Sequence, residues 1–271
     1  MPRARLGQHW LADKRVCKRI ADAVALSPDE TCIEIGGGKG ALTKFLAPAC
    51  RRLIVYEVDP KWAAHLRDQS ETWEGDIEVR EADALKIDWS RQHLGLEENE
   101  PLVVTGNLPY YITSPLLLRL AYSRLDMKKA VFLIQREVAR RITSKPGDSD
   151  YSRLTVSLGA FLESRSLFSV PPDAFKPPPE VTSALIEMKP LEKPPVPVDL
   201  TDTFEHVVQI AFRMRRKTIK NNIRSGFPDL PASEIEDFLG SIGMNPNARP
   251  QEISVTQYVT LAKTLDLPKN G

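Results

Sequence analysis

No stretch of this chain approaches the ~20 consecutive apolar residues that crossing a bilayer requires, which excludes a spanning helix on length alone. The opening residues, from Met1 to Trp10, lack the apolar block of a secretory signal, so a cytoplasmic location is expected. Cysteine is scarce. Cys17, Cys32 and Cys50 are widely spaced and form no CxxC pair, which suits a reducing compartment and offers no metal site. Histidine is as thin: His9, His65, His93 and His206 show no HExxH spacing, so no metal is expected. An excess of either charge is also missing, with 37 basic and 36 acidic residues and a net charge of +1. The molecule as a whole therefore does not announce a polyanionic partner.

What is present is unevenly distributed. Arg213, Arg215, Arg216, Lys217, Lys220 and Arg224 crowd one stretch, and Arg3, Arg5, Lys14, Arg15, Lys18 and Arg19 another. Acidic residues gather elsewhere, as at Glu81, Asp83, Asp88, Glu97, Glu98 and Glu100. Separated patches bind phosphate locally while the total stays near neutral, although solvated helix faces produce the same pattern. With 271 residues and 42% hydrophobic content, there is enough material for one large core, or one large and one small.

Short, β-branched apolar runs recur at 31–35, 53–58, 77–80, 102–105 and 130–134. They are nearly continuous, as in strands covered on both faces of a parallel sheet. Helical spacing fills the gaps, at 14–26, 41–46 and 60–66, with Pro60 suited to a first helical position behind Asp59 as N-cap. The alternation predicts an α/β sheet. Nine of the 22 prolines then fall between 171 and 197, around a returning strand at 183–188. The proline-rich segment 191–198 reads as a semi-rigid linker, and the pattern beyond it is helical. Ser233–Glu236 and Ser254–Gln257 both match capping boxes. A boundary near 195 divides the chain into residues 1–194 and 195–271.

Glu34-Ile-Gly-Gly-Gly-Lys-Gly40 follows the first run and opens a helix. Glycines such as Gly36 and Gly38 let the backbone turn sharply and approach a ligand closely. Gly36-x-Gly38-x-x-Ala41 also satisfies a dinucleotide fingerprint, so this loop alone does not separate nicotinamide from S-adenosylmethionine. Glu57 closes the second run and suits both hydroxyls of a ribose; Asp83, after the third, suits an adenine amino group or a helix N-cap. The tie is broken at Gly106-Asn-Leu-Pro-Tyr110. An exocyclic adenine nitrogen is a poor nucleophile because its lone pair is delocalised into the ring. Two acceptors, the Asn107 side-chain oxygen and the Leu108 carbonyl aimed by Pro109, can hold both N–H groups and favour a more pyramidal nitrogen. Tyr110 can stack on the base. Phe175 is a candidate for a second ring, since a target base must leave its stack to reach such a pocket.

These residues together resemble the bacterial small-subunit (16S) ribosomal RNA adenine N6,N6-dimethyltransferases of the KsgA type. The resemblance runs from Leu6-Gly-Gln-His-Trp-Leu11 through Glu34–Gly40, Glu57–Asp59, Asp83, Gly106–Tyr111 and Gln135–Val138. It continues through Tyr151–Leu154, Val170–Ala184 and Arg215–Thr218 to Ile253–Tyr258. It implies a Rossmann-like domain with a mostly parallel seven-stranded sheet, followed by a small all-α domain. It further implies that Gly36, Glu57, Asp83 and Asn107, with His9 and Leu11, contact S-adenosylmethionine. His9 stands where the family often has Asn, and Trp10 where it usually has Phe. The expected substrate is a pair of neighbouring adenosines in a hairpin loop near the 3′ end of small-subunit rRNA, met by a monomer on a pre-ribosomal particle. Arg213, Arg215, Arg216, Lys217 and Lys220 then read as RNA-facing. Two alternatives remain open: a large-subunit rRNA methyltransferase, and a non-catalytic RNA-binding assembly factor of the same fold.

Overall fold

The computed structural model describes residues 9–228 and 231–264. In chain order its elements are β1 (Trp10–Leu11), α1 (Lys14–Val24), β2 (Thr31–Ile35), α2 (Thr43–Leu46), β3 (Arg52–Glu57), α3 (Pro60–Ser70) and β4 (Ile77–Glu81). They continue with α4 (Arg91–Leu94), β5 (Leu102–Asn107), α5 (Thr113–Ser123), β6 (Lys129–Gln135), α6 (Arg136–Thr143), α7 (Arg153–Gly159) and β7 (Leu162–Val170). The last are β8 (Phe175–Lys176), β9 (Ser183–Pro190), α8 (Thr201–Ala211), α9 (Ile219–Gly226), α10 (Ala232–Ser241) and α11 (Val255–Thr264).

Seven strands form one sheet in the order β4-β3-β2-β5-β6-β9-β7. The pairings from β4 to β6 are parallel, and β9 joins β6 antiparallel. Strands β2, β5 and β6 are buried almost end to end, as continuous apolar runs demand, while edge strand β4 is only half-buried. The order reverses between β2 and β5. In open α/β sheets that is where a crevice opens beyond the carboxyl ends of the strands.

The local signals act as their chemistry predicts. Asp59 accepts the Lys61 N–H at 3.0 Å, ahead of Pro60 at the first position of α3. Ser254 and Gln257 form a reciprocal capping box at the start of α11. Ser233–Glu236 does not form one. Helix α10 already starts at Ala232 behind Pro231, and Glu236 instead pairs with Lys220. The fourth run is longer than its apolar residues suggest, because Gly106 and Asn107 stay in β5, opposite Phe132 and Leu133 of β6. Only glycine permits this at 106, where a Cβ would lie 2.4 Å from the Ile35 carbonyl oxygen.

The chain forms two compact units. The first comprises residues up to 139 with 164–190; the second comprises 140–163 with the residues from 191 onward. The sequence division at 194/195 places 140–163 in the first domain, whereas several residues of this segment find their partners beyond 195. The Tyr151 hydroxyl donates to the Ile253 carbonyl at 2.9 Å, the Ser157 hydroxyl donates to Glu205 at 2.7 Å, and Arg153 pairs with Glu205. Phe161 meets Phe204 edge-on, and Phe212 packs on both Tyr151 and Tyr258. No helix among the described residues is long and apolar enough to cross a membrane.

Candidate active site

The carboxyl ends of β2, β3, β4 and β5 converge on a solvent-open cavity. Gly36, Glu57, Asp83, Asn107, Leu108, Pro109, Tyr110, His9 and Phe175 all line it, so nine residues read from sequence meet in one place. Leu11 and Gly38 do not line it. The Leu11 side chain is buried in the core beneath β1, and Gly38 faces the ring of Trp10, which a Cβ would approach to 2.1 Å. Gly38 nonetheless acts on the site, because its N–H donates to Glu57.

Glu57 is held from both sides. Oε2 accepts the Gly38 N–H and Oε1 accepts the Asp59 N–H, each at 2.9 Å. A carboxylate oxygen has room for more than one donor, so this clamp fixes the group and leaves lone pairs for a pair of hydroxyls. Gly36, with φ +77°, has open space where a side chain would stand; its nearest neighbour is the Asn107 carbonyl at 3.8 Å from a notional Cβ. This cradle fits the ribose end of a nucleoside cofactor. Asp83 spends one oxygen on the Leu85 N–H at 3.0 Å, an Asx-type turn, and its other oxygen lies 3.9 Å from the exposed Lys86 ammonium.

Asn107 is oriented by main chain. Its Nδ2 donates to the His9 carbonyl at 3.2 Å, which leaves Oδ1 as a bare acceptor. The following turn is closed by the Pro109 carbonyl, which accepts from the Ile112 N–H and the Thr113 hydroxyl, both at 3.1 Å. The Leu108 carbonyl takes no part in that closure. Leu108 itself is buried, with its N–H on the Leu133 carbonyl, so β6 anchors the bend. Tyr110 is half-exposed and stacked on His9, ring centroids 6.0 Å apart and planes 28° apart. His9 Nδ1 donates to the Pro177 carbonyl at 2.9 Å. Phe175 is only 2% exposed, so it forms part of the wall and presents little face to a base.

Sequence reasoning missed Tyr111 and Val58, which line the cavity while 56% and 40% exposed. Their signal was position alone, each next to a residue already chosen. Partial burial raises the Tyr111 phenol, with Asp83 and Glu57 pushing the same way. Glu34, buried one residue before the cavity wall begins, was also passed over. Burial lifts its carboxyl to about 7; Thr43 nearby pulls the other way, and Glu57 pushes it further up. No bond of ordinary geometry forms with Thr43, and Glu34 Oε2 stays without a partner.

In the helical unit, the basic stretch 213–217 is a turn between α8 and α9 and not a helix face. Buried Asn222 builds it. Its Oδ1 accepts the Met214 N–H at 2.9 Å, and its Nδ2 donates to the carbonyls of Met214 and Thr218, each at 3.1 Å. Arg215 is exposed yet donates to the Ser149 and Tyr151 carbonyls, Arg213 donates to the Ser225 carbonyl, and Lys220 pairs with Glu236. Arg216 and Lys217 are exposed. Of the other basic cluster, Arg3 and Arg5 lie outside the described residues, as do Leu6–Gln8 of the N-terminal motif; Lys14, Arg15, Lys18 and Arg19 sit on α1.

A mostly parallel sheet with a glycine turn, a clamped acidic residue and an Asn-Leu-Pro-Tyr bend at one crevice defines a Rossmann-like S-adenosylmethionine-dependent methyltransferase. Residues 2–267 match the family profile of ribosomal RNA adenine dimethylases, and the chain belongs to that family. It is 39% identical to the ribosomal RNA small subunit methyltransferase A of Synechococcus sp. (strain RCC307), across 97% of this chain and 96% of that one. The protein of the same description from Nitrosospira multiformis is 37% identical, across 100% and 98%. Among solved structures, a dimethyladenosine transferase from Plasmodium falciparum superposes with a TM-score of 0.76 at 26% identity, covering 93% of this chain and 96% of that one. The 23S rRNA methyltransferase ErmE superposes at 0.68 with 28% identity, covering 95% and 100%.

Proposed function

We propose that this protein transfers methyl groups from S-adenosylmethionine to N6 of two neighbouring adenosines in a hairpin loop near the 3′ end of small-subunit rRNA, giving N6,N6-dimethyladenosine. The observation that carries the reading is the Asn107 amide. With Nδ2 committed to the His9 carbonyl, Oδ1 can only accept, and it stands in one cavity with the bend that carries the Leu108 carbonyl.

The cofactor contributes an electrophilic methyl group on a sulfonium. Glu57 would hold its ribose hydroxyls and Asp83 its adenine. Asn107 Oδ1 and the Leu108 carbonyl would take the two N–H groups of an unstacked adenosine, drawing the amine out of conjugation. The Tyr110 ring would stack on the base and keep the nitrogen in line. No strong base is needed, because the proton leaves after the nitrogen has become cationic. For the second transfer one N–H acceptor suffices, and the same bend serves. Arg216 and Lys217, with Arg213, Arg215 and Lys220 beside them, would meet phosphates of the RNA. We place this activity in the cytoplasm, on a pre-ribosomal small subunit, carried out by a monomer.

Likeness to a 23S rRNA methyltransferase keeps a large-subunit target in view. One experiment separates them: incubation with labelled S-adenosylmethionine and undermethylated small or large subunits, followed by nucleoside analysis. Dimethyladenosine at two adjacent positions of the small-subunit RNA is expected. Label confined to the large subunit, or none in either, overturns the assignment.

A further inference from the structure

Asn107 can serve in one orientation only. Turned over, its amide would present N–H groups to the N–H groups of the substrate amine, donor against donor. The partner that prevents this is a main-chain carbonyl, that of His9, 98 residues away. That carbonyl belongs to a short segment. Strand β1 has two residues and pairs only with β8, Trp10 opposite Lys176 and Leu11 opposite Phe175. The next side chain along is Trp10. Its ring lies on the glycine turn, where a Cβ at Gly38 would come within 2.1 Å. Against it stands Trp62 of α3, ring centroids 5.0 Å apart and planes tilted by 58°. Trp62 in turn meets His65 edge-on at 5.6 Å, and Lys39 Nζ lies 5.4 and 5.5 Å from the Trp10 and Trp62 rings. Trp62 is not among the residues lining the cavity.

We infer that Trp62 is a positioning residue for methyl transfer: by bracing Trp10 it fixes the His9 carbonyl, and through that carbonyl the orientation of the Asn107 amide. The inference rests on the proposed reaction. Removing the Trp62 ring leaves Trp10 with a free side. The His9 carbonyl then shifts relative to β5, and Asn107 loses the acceptor that holds its Nδ2. The Glu57 clamps are the main-chain N–H groups of Gly38 and Asp59, and the glycine turn beneath Trp10 is held by its own main-chain bonds, Gly36 N–H to the Tyr56 carbonyl at 2.8 Å and Gly40 N–H to the Gly37 carbonyl at 2.9 Å. The signature is therefore a loss in the chemical step with binding preserved.

The test uses the full chain with labelled cofactor and undermethylated small subunits, beside calorimetric titration with S-adenosylhomocysteine. Trp62→Ala should lower kcat about tenfold, or 1.4 kcal/mol. KM for the RNA and Kd for S-adenosylhomocysteine should stay within about twofold, as expected for an interaction realised only in the transition state. Trp62→Phe should restore kcat. If Trp62→Ala melts below the assay temperature, Trp62→Leu, which keeps apolar volume without the ring, carries the same expectation. An unchanged kcat overturns the inference. So does a defect confined to KM for the RNA, which would make the indole a stacking surface for a nucleotide, or a loss of kcat that Phe does not restore. Wild-type protein inactive on small subunits would instead refute the proposed reaction.

Discussion

In the sheet unit, the groups that would touch a cofactor and a base are held by main chain: Glu57 by two N–H groups, Asn107 by a carbonyl, Leu108 by its bond to β6. In the helical unit, the cationic turn is built by one side chain, the buried amide of Asn222. The difference matches the tasks. Transfer to a weak nucleophile needs acceptors set to within about half an ångström. Attraction of phosphate needs only charge at roughly the right place and is screened by salt. A main-chain clamp survives substitution of its neighbours. A side-chain clamp can be removed in a single step.

The largest effect expected from breaking that contrast is at Asn107. Asn107→Ala should lower single-turnover methyl transfer by about 10²–10³-fold, the usual cost of deleting a preorganised polar group that acts in the transition state. The melting temperature should barely move, because the amide is half-exposed and its hydrogen bond to the His9 carbonyl is only partly buried. In the helical unit the expectation inverts. Asn222→Ala strips the Met214 N–H of its partner, while the Met214 and Thr218 carbonyls keep the Lys217 and Asn222 N–H groups, and should cost roughly 1–2 kcal/mol in denaturant unfolding. Cofactor affinity, measured by calorimetry, should not change.

Glu57→Ala should raise the Kd for S-adenosylhomocysteine by about ten- to a hundredfold, for lost hydrogen bonds to a charged group, with a smaller effect on kcat. Replacing Arg216 and Lys217 together by Ala should flatten the slope of log Kd for RNA against log salt by about 1.4–1.8. An unchanged slope would make the turn merely solvated. Arg215 is left in place because its bonds to the Ser149 and Tyr151 carbonyls serve the fold.

A further effect concerns pH. The Glu34 carboxyl titrates near 7 in the folded protein and near the usual glutamate value when unfolded. Between those values the folded state binds the extra proton, so this group makes stability fall as pH rises through the window and level off above it. Glu34→Gln should flatten that decline in urea midpoints measured from about pH 4.5 to 7, the range set by its unfolded and folded pKa.

Local chemistry makes much of this fold legible in the sequence. Strand periodicity, the glycine turn, the Asp59 cap ahead of Pro60 and the proline-locked bend each depend on neighbours within a few residues, so the chain spells them directly. Their meeting at one crevice also followed, because parallel strands bring their carboxyl ends to one side. Other features depended on partners distant in sequence. Whether Phe175 offers a face or a wall was decided by the core around it. Whether 140–163 packs on the sheet or on the helical tail was decided by Tyr151, Ser157 and Glu205 finding one another. The orientation of Asn107 was decided by a carbonyl almost a hundred residues earlier, itself steadied by Trp10 and Trp62. Periodicity and capping describe a residue's own segment. The choice among many apolar faces and many carbonyls is made only when the whole chain competes for them, and that competition the tertiary structure alone resolves.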